Sequence, residues 1–180
     1  MTFPADNALP PLTLVLGGAR SGKSAYAERL VNAQGDGLYL ATAEFSDPDM
    51  AERIRIHRER RGETWKTVEE PLELPAQLKK NATPDRIVLV ECLSVWVGNL
   101  MAAGRDVGAD TGALIACLSG LAHPVVLVSN EVGLGGIPDN QLARDFQDAA
   151  GQLNQTVAML ADRVVLVAAG LPVVLKDVAE

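Results

Sequence analysis

The chain has 180 residues, 48% of them hydrophobic, with a formal net charge of −7 and an isoelectric point near 4.9. That length suits one domain with a substantial core, and an acidic balance without any block of lysine or arginine argues against a nucleic-acid footprint. Cys92 and Cys117 lie far apart in apolar segments, so they read as small buried hydrophobes and not as part of a zinc cluster.

The opening residues, MTFPADNALPPL, have neither the charged start nor the apolar core of a secretion signal. No apolar stretch is long enough to span a bilayer, so a cytoplasmic protein is expected. Residues 1–11 read as an N-terminal extension and residues 12–180 as a single domain. Residues 12–16, LTLVL, form a continuous apolar run suited to a buried parallel strand. Directly after it, Gly17, Gly18, Ala19, Arg20, Ser21, Gly22, Lys23 and Ser24 spell GGARSGKS, a G-x-x-x-x-G-K-[ST] phosphate loop with every defining position filled.

The chemistry of that spacing is specific. Small residues let successive backbone N–H groups turn inward around a phosphate, Lys23 reaches the β- and γ-oxygens, and Ser24 offers a hydroxyl to Mg²⁺. The following SAYAERLVNA is rich in helix formers, which sets a helix N-terminus against the phosphate. A glycine-rich turn without a ligand is the bland alternative. Both flanks and all four defining positions weigh against it.

Residues 37–42, GLYLAT, read as the next buried strand, and Ala41, Thr42 and Ala43, followed by Glu44, are placed where a strand end lines a nucleotide. Ser46-Asp47-Pro48 then reads as a helix start and Gly62 as its stop. Within it Met50, Ile54 and His57 fall at i, i+4 and i+7, putting His57 on the apolar face with Arg53, Arg60 and Arg61 about one turn away. A neutral imidazole beside phosphate-binding arginines can attack an α-phosphorus. Spacing alone favours the plainer reading, a histidine at the edge of the core with solvated arginines.

Strands are also expected at residues 86–90, 124–128 and 163–167, with helical segments between them, the longest over residues 139–161 with Asp139 as N-cap. The final LPVVLKDV suits one more strand of undecided direction. This β-α alternation implies an α/β fold with a mostly parallel sheet covered on both faces. Glu91 follows its strand where a Walker B acid reaches the magnesium shell, so Ser24 and Glu91 are the candidate metal ligands, with an ordinary strand-end acid facing solvent as the plainer alternative for Glu91. Ser129, Asn130 and Glu131 end another strand ahead of a glycine-rich stretch, Gly133 to Gly136. Turn residues and a loop closing over substrate are both open readings there.

Taken together, GGARSGKS, YLAT, the RIRIHRERR segment carrying His57, WKTVE, VECLSVWVGNL, SNEVGLGGIP and LARDFQDAAGQLNQ resemble the bifunctional adenosylcobinamide kinase/adenosylcobinamide-phosphate guanylyltransferase family. The resemblance runs from Leu12 over nearly the whole chain. It implies a RecA-like P-loop NTPase three-layer sandwich, a homotrimer, and two reactions. Adenosylcobinamide is phosphorylated by ATP or GTP, and GMP is then transferred from GTP to adenosylcobinamide phosphate to give adenosylcobinamide-GDP. The implied nucleophile of the second reaction is His57, as a guanylyl-histidine; the implied nucleotide contacts are residues 17–24, Ala41, Thr42, Ala43, Arg58, Glu59, Arg60, Arg61, Glu69 and Glu91. Two departures stand out: Ala43 occupies a position that often carries a hydroxyl, and the residues before Leu12 are additional. A GTP-dependent switch is the rival from another class, but the N-K-x-D motif that reads guanine in such switches does not occur.

Overall fold

The computed structural model describes residues 9–43, 65–83 and 86–178. Seven strands, β1 (Leu12–Gly17), β2 (Gly37–Ala41), β3 (Trp65–Glu69), β4 (Ile87–Glu91), β5 (Val125–Asn130), β6 (Arg163–Ala168) and β7 (Leu171–Asp177), form one sheet in the order β3-β2-β4-β5-β1-β6-β7. All neighbours are parallel except β6 and β7. The central strands are runs of valine, isoleucine and leucine because they are covered on both sides, which removes the polar alternation of a one-sided sheet.

Five described helices complete the fold: α1 (Lys23–Asn32), α2 (Leu74–Asn81), α3 (Leu93–Ala102), α4 (Val107–Ser119) and α5 (Gln141–Leu160). Alternation along the strands divides the core in two. Leu14, Leu40, Val90 and Leu127 face one side, where they pack with Leu78, Trp96, Leu114 and Leu153 of α2 to α5. Val15, Tyr39, Leu89, Val126 and Val165 face the other, where they meet Ala27 and Val31 of α1. Leu9, within the stretch read as an extension, is buried in this second cluster. The larger side is anchored by α3, whose Leu93, Trp96, Val97 and Leu100 recur at i, i+3, i+4 and i+7 and are all fully buried. A side chain of that size contributes on the order of 2–3 kcal/mol when taken from water.

The observed elements refine the expected ones. The long helix is capped by Asn140 and not by Asp139: Asn140 holds an extended backbone (φ −106, ψ 153) and its side chain accepts the Ala143 N–H at 2.8 Å. Trp65–Glu69 is an additional edge strand; its exposed Lys66, Thr67 and Glu69 give it no apolar run that a sequence pattern could register. The LPVVLKDV segment supplies β7, antiparallel to β6, through a two-residue turn at Ala169 (φ 51) and Gly170 (φ 78). Positive φ at both positions matches the twist a tight hairpin requires.

The topology decides where a ligand can sit. Strand β1 lies between β5 and β6, while its successor β2 is reached only beyond β5 and β4. Connections therefore leave the carboxyl end of β1 region in opposite directions, opening a crevice there.

Candidate active site

Two glycines frame the turn after β1 and resist a side chain, while Gly18 between them has open space. A Cβ at Gly17 would stand 2.4 Å from Ser21 Oγ and 2.6 Å from the Val167 carbonyl. Gly22 has φ +94, and a Cβ there would be 3.2 Å from Gly170 Cα in the β6–β7 turn. That hairpin turn also supports the loop directly, since the Gly170 N–H donates to the Ser21 carbonyl at 2.8 Å. Arg20 adopts a positive φ of 57 without being glycine, a conformation that surrounding contacts must hold in place.

Helix α1 then begins at Lys23 with no side-chain cap, so its first N–H groups remain oriented for an anion. Lys23 is buried, and its Nζ donates to the Gly18 carbonyl at 3.2 Å. The ammonium thus folds over the loop, where an arriving phosphate can take over the bond. Gly18, Ala19 and Arg20 are exposed, and Ser21 and Ser24 are half-buried.

Across the sheet, Glu91 ends β4. Its Oε1 accepts from Ser24 Oγ at 2.6 Å, joining the two residues that separate motifs designate as metal ligands. The sheet register brings a third expected contact to the same level: Ala41 of β2 pairs with Glu91 on one side and with Glu69 on the other. Paired residues of parallel strands project to the same face, so both carboxylates share the α1 side with Ala41.

The turn after Glu91 is held by groups distant in sequence. Thr42 is fully buried; its Oγ1 accepts the Cys92 N–H at 2.8 Å, and its own O–H faces the carbonyls of Cys92 at 2.8 Å and Glu91 at 3.2 Å. Its hydroxyl therefore supports the Glu91 backbone. Asn99, projecting from α3, donates to the carbonyls of Thr42 at 2.7 Å and Pro71 at 3.1 Å, tying the exit of β2 to the connection after β3. Burial, and secondarily the charge of Glu91, push the Cys92 thiol up, so it stays protonated against Ser94 Oγ at 2.9 Å. Thiolate chemistry is disfavoured there.

The end of β5 continues the same crevice. The Glu131 N–H donates to the Gly17 carbonyl at 3.1 Å, fastening this strand end to the first residue of the phosphate loop. Its carboxylate accepts the N–H groups of Gly133 and Leu134 and so shapes its own loop. Gln147 of α5 reinforces that loop through the carbonyls of Val132 at 2.6 Å and Gly136 at 2.9 Å.

The structure brings together residues 17–24, Ala41, Thr42, Glu69 and Glu91, with half-buried Ala43 beside them. His57, Arg58, Glu59, Arg60 and Arg61, together with Arg53 and Glu44, lie outside the described residues. Sequence reasoning passed over Asn99 and the Gly170 turn. Asn99 did carry a signal, being the lone carboxamide in the largely apolar LSVWVGNLMA helix. Among the described residues no group of three or more His, Cys, Asp or Glu side chains could hold a metal ion by itself, and no helix is long and apolar enough to cross a membrane.

Comparison with known proteins gives a consistent answer. Residues 13–175 match the family model described as cobinamide kinase / cobinamide phosphate guanyltransferase. The bifunctional adenosylcobalamin biosynthesis protein CobP of Pseudomonas aeruginosa is 45% identical over 166 residues, covering 91% of this chain and 96% of that protein. The bifunctional adenosylcobalamin biosynthesis protein CobU of Escherichia coli is 39% identical over 180 residues, covering 92% of this chain and 99% of that protein. Among solved structures, an ATPase of a bacterial type III secretion system aligns at TM-score 0.51 and 11% identity over 86% of this chain and 50% of that one. A Pyrococcus horikoshii protein aligns at TM-score 0.55 and 8% identity over 97% of this chain and 90% of its own. These structural likenesses show the fold alone, an α/β sandwich built on a mostly parallel sheet.

Proposed function

The chain belongs to the cobinamide kinase / cobinamide phosphate guanyltransferase family, a family of enzymes of adenosylcobalamin biosynthesis, and from that premise we propose that one nucleotide site serves two successive transfers. In the first, the aminopropanol hydroxyl of adenosylcobinamide attacks the γ-phosphorus of ATP or GTP, the bond to the β-phosphate oxygen breaks, and the hydroxyl proton passes to solvent. In the second, His57 attacks the α-phosphorus of GTP and pyrophosphate leaves. The phosphate of adenosylcobinamide phosphate then attacks the guanylyl-histidine, restoring the imidazole and giving adenosylcobinamide-GDP. Splitting the transfer between two anionic phosphates into two displacements lowers the barrier of each.

The observation that carries this reading is the 2.6 Å contact of Ser24 Oγ with Glu91 at the mouth of a complete phosphate loop. Two oxygen donors suit a hard divalent cation that takes its remaining ligands from water and phosphate, so these side chains fit Mg²⁺. When bound there, Mg²⁺ neutralises charge on the phosphoryl oxygens. Lys23 and the loop amides do the rest, holding the triphosphate in line and stabilising charge as it shifts to the leaving group. Arg58, Glu59, Arg60, Arg61 and Glu69 complete the nucleotide contacts in this reading, which rests for them on the family motifs.

A homotrimer of a single domain over residues 12–180, working in the cytoplasm, fits the same family reading. The sheet offers a surface for association: Leu171, Val173, Val174 and Leu175 of edge strand β7 are each at least half exposed. An apolar edge of that kind invites a partner.

The test is to supply purified protein with adenosylcobinamide, GTP and Mg²⁺ and to follow the corrinoid by mass. Successive gain of phosphate and of GMP is expected. His57→Ala is expected to stop at the phosphate and to lose the acid-labile label that α-labelled GTP leaves on the wild type. Equal labelling of the two proteins would refute the histidine's role, and phosphate transfer without any pyrophosphate release would reduce the enzyme to a single-activity kinase.

A further inference from the structure

Three polar residues end β5, and the structure separates their tasks. Ser129 is fully buried, on the α3–α5 side by strand alternation. Glu131 directs its carboxylate to the N–H groups of its own loop. Asn130 remains. Val126 and Val128, at the preceding even positions, pack in the α1-side cluster, so the Asn130 side chain projects to the face that holds the phosphate loop, Ser24 and Glu91.

Its position there is fixed from three directions. Asn130 pairs in register with Gly17, the first residue of the loop, one strand spacing of about 4.8 Å away. On the opposite edge of β5, Val128 pairs with Glu91. The backbone is clamped: the Asn130 N–H donates to Ser94 Oγ at 3.4 Å, and its carbonyl accepts from Asn154 Nδ2 of α5 at 2.9 Å. None of the hydrogen bonds among the described residues engages the carboxamide of Asn130 itself. A half-buried amide is thus rigidly placed between a phosphate loop and an acid, with its polar atoms uncommitted.

We propose that the Asn130 carboxamide is a contact for the terminal phosphate of the bound nucleotide, its N–H donating to a γ-phosphate oxygen. The inference rests on the phosphate-loop reading of the site. An amide is suited to that place because it can donate to an anion without the repulsion a carboxylate would bring, and it adds no competing positive charge to Lys23. A diphosphate leaves the amide with nothing to bind, so Asn130 discriminates triphosphate from diphosphate. The helix-borne Asn154 and Ser94 hold the backbone that presents it.

Calorimetric titration of GTP and GDP, each with Mg²⁺, into the wild type, Asn130→Ala and the isosteric Asn130→Asp tests this. For Asn130→Ala, GTP affinity is expected to fall about tenfold, the worth of one hydrogen bond to a charged group, with GDP affinity within about twofold of wild type. For Asn130→Asp the GTP loss is expected to be larger, because a carboxylate then faces the phosphate. An unchanged ratio of GTP to GDP affinity in the folded variants overturns the proposal, and Asn130→Asp decides alone should the alanine variant not fold. Failure of the corrinoid activity in wild type would leave this measurement intact; wild-type protein that binds neither nucleotide would instead remove the phosphate-loop reading beneath it.

Discussion

The start of α1, just past the turn after β1, meets the tip of β4 in one hydrogen bond, Ser24 to Glu91, yet the two are held by different means. The turn after β1 is specified mainly by its own glycines, where a Cβ would collide at 2.4 Å or demand φ +94, and is then braced by the N–H groups of Gly170 and Glu131. The β4 tip is shaped by strangers, Thr42 from the end of β2 and Asn99 from α3. A motif can be local in sequence only if its geometry is local in space. The acid opposite it is placed by the assembled sheet.

Substitutions at the two tips should therefore fail differently. The largest effect is expected for Gly17→Ala, whose new methyl meets Ser21 and the Val167 carbonyl and displaces the loop backbone. Misplacement on the order of 1 Å at a reacting centre lowers turnover about 100-fold, and triphosphate binding should fall with it. Normal nucleotide titration and kinetics in that variant would break the view that local sterics set the loop.

Thr42→Val comes next, keeping the shape but leaving the buried Cys92 N–H without its acceptor. A loss of about 1–3 kcal/mol is expected in chemical denaturation, with a higher Mg²⁺ concentration needed for half-maximal turnover as Glu91 drifts. Thr42→Ser should recover most of both; failure of serine to do so would show that the methyl, and not the hydroxyl, secures the β4 tip.

Cys92 offers a milder probe of the same corner. Burial and the neighbouring Glu91 charge raise its pKa, so the native protein is expected to resist thiol alkylation at pH 8 at this residue and to react only on unfolding. Rapid modification mapped to Cys92 by peptide mass would show that the β4 tip opens readily.

The smallest expected effect concerns Glu70, after β3. Burial raises its pKa, but the N–H groups of Glu73 and Leu72 and the Gln77 amide outweigh that and leave it below the ordinary value of 4.5. A carboxyl depressed in the folded state stabilises fully above its unfolded pKa and loses that contribution as pH falls through the folded one. Solvent screening keeps it below about 1 kcal/mol. Acid unfolding curves of wild type and Glu70→Gln should therefore converge below pH 4.5; a gap that widens on acidification would reverse the sign.

Much of this was legible from residues alone. The apolar runs gave the central strands, since a doubly covered strand must be apolar throughout. The one-residue shift of the long helix start from Asp139 to Asn140 turned on which of two adjacent capping residues takes the extended backbone. Edge strand β3 was missed because an exposed strand alternates weakly and draws its order from its neighbour β2. Asn99 and Asn154 could be named only as polar residues on helices; that each serves a strand end depends on how those helices pack.

The phosphate loop, the α/β class and the family can be read from the residues in order, because glycine conformation, hydrophobic period and motif order are properties of short stretches of chain. That Ala41, Glu69 and Glu91 share one level of the sheet, that Ser24 meets Glu91, and that Asn130 stands beside Gly17 emerge first in the folded chain. Those facts follow from strand order and register, which are set by burying two faces of one sheet at once and leave no mark in the local sequence.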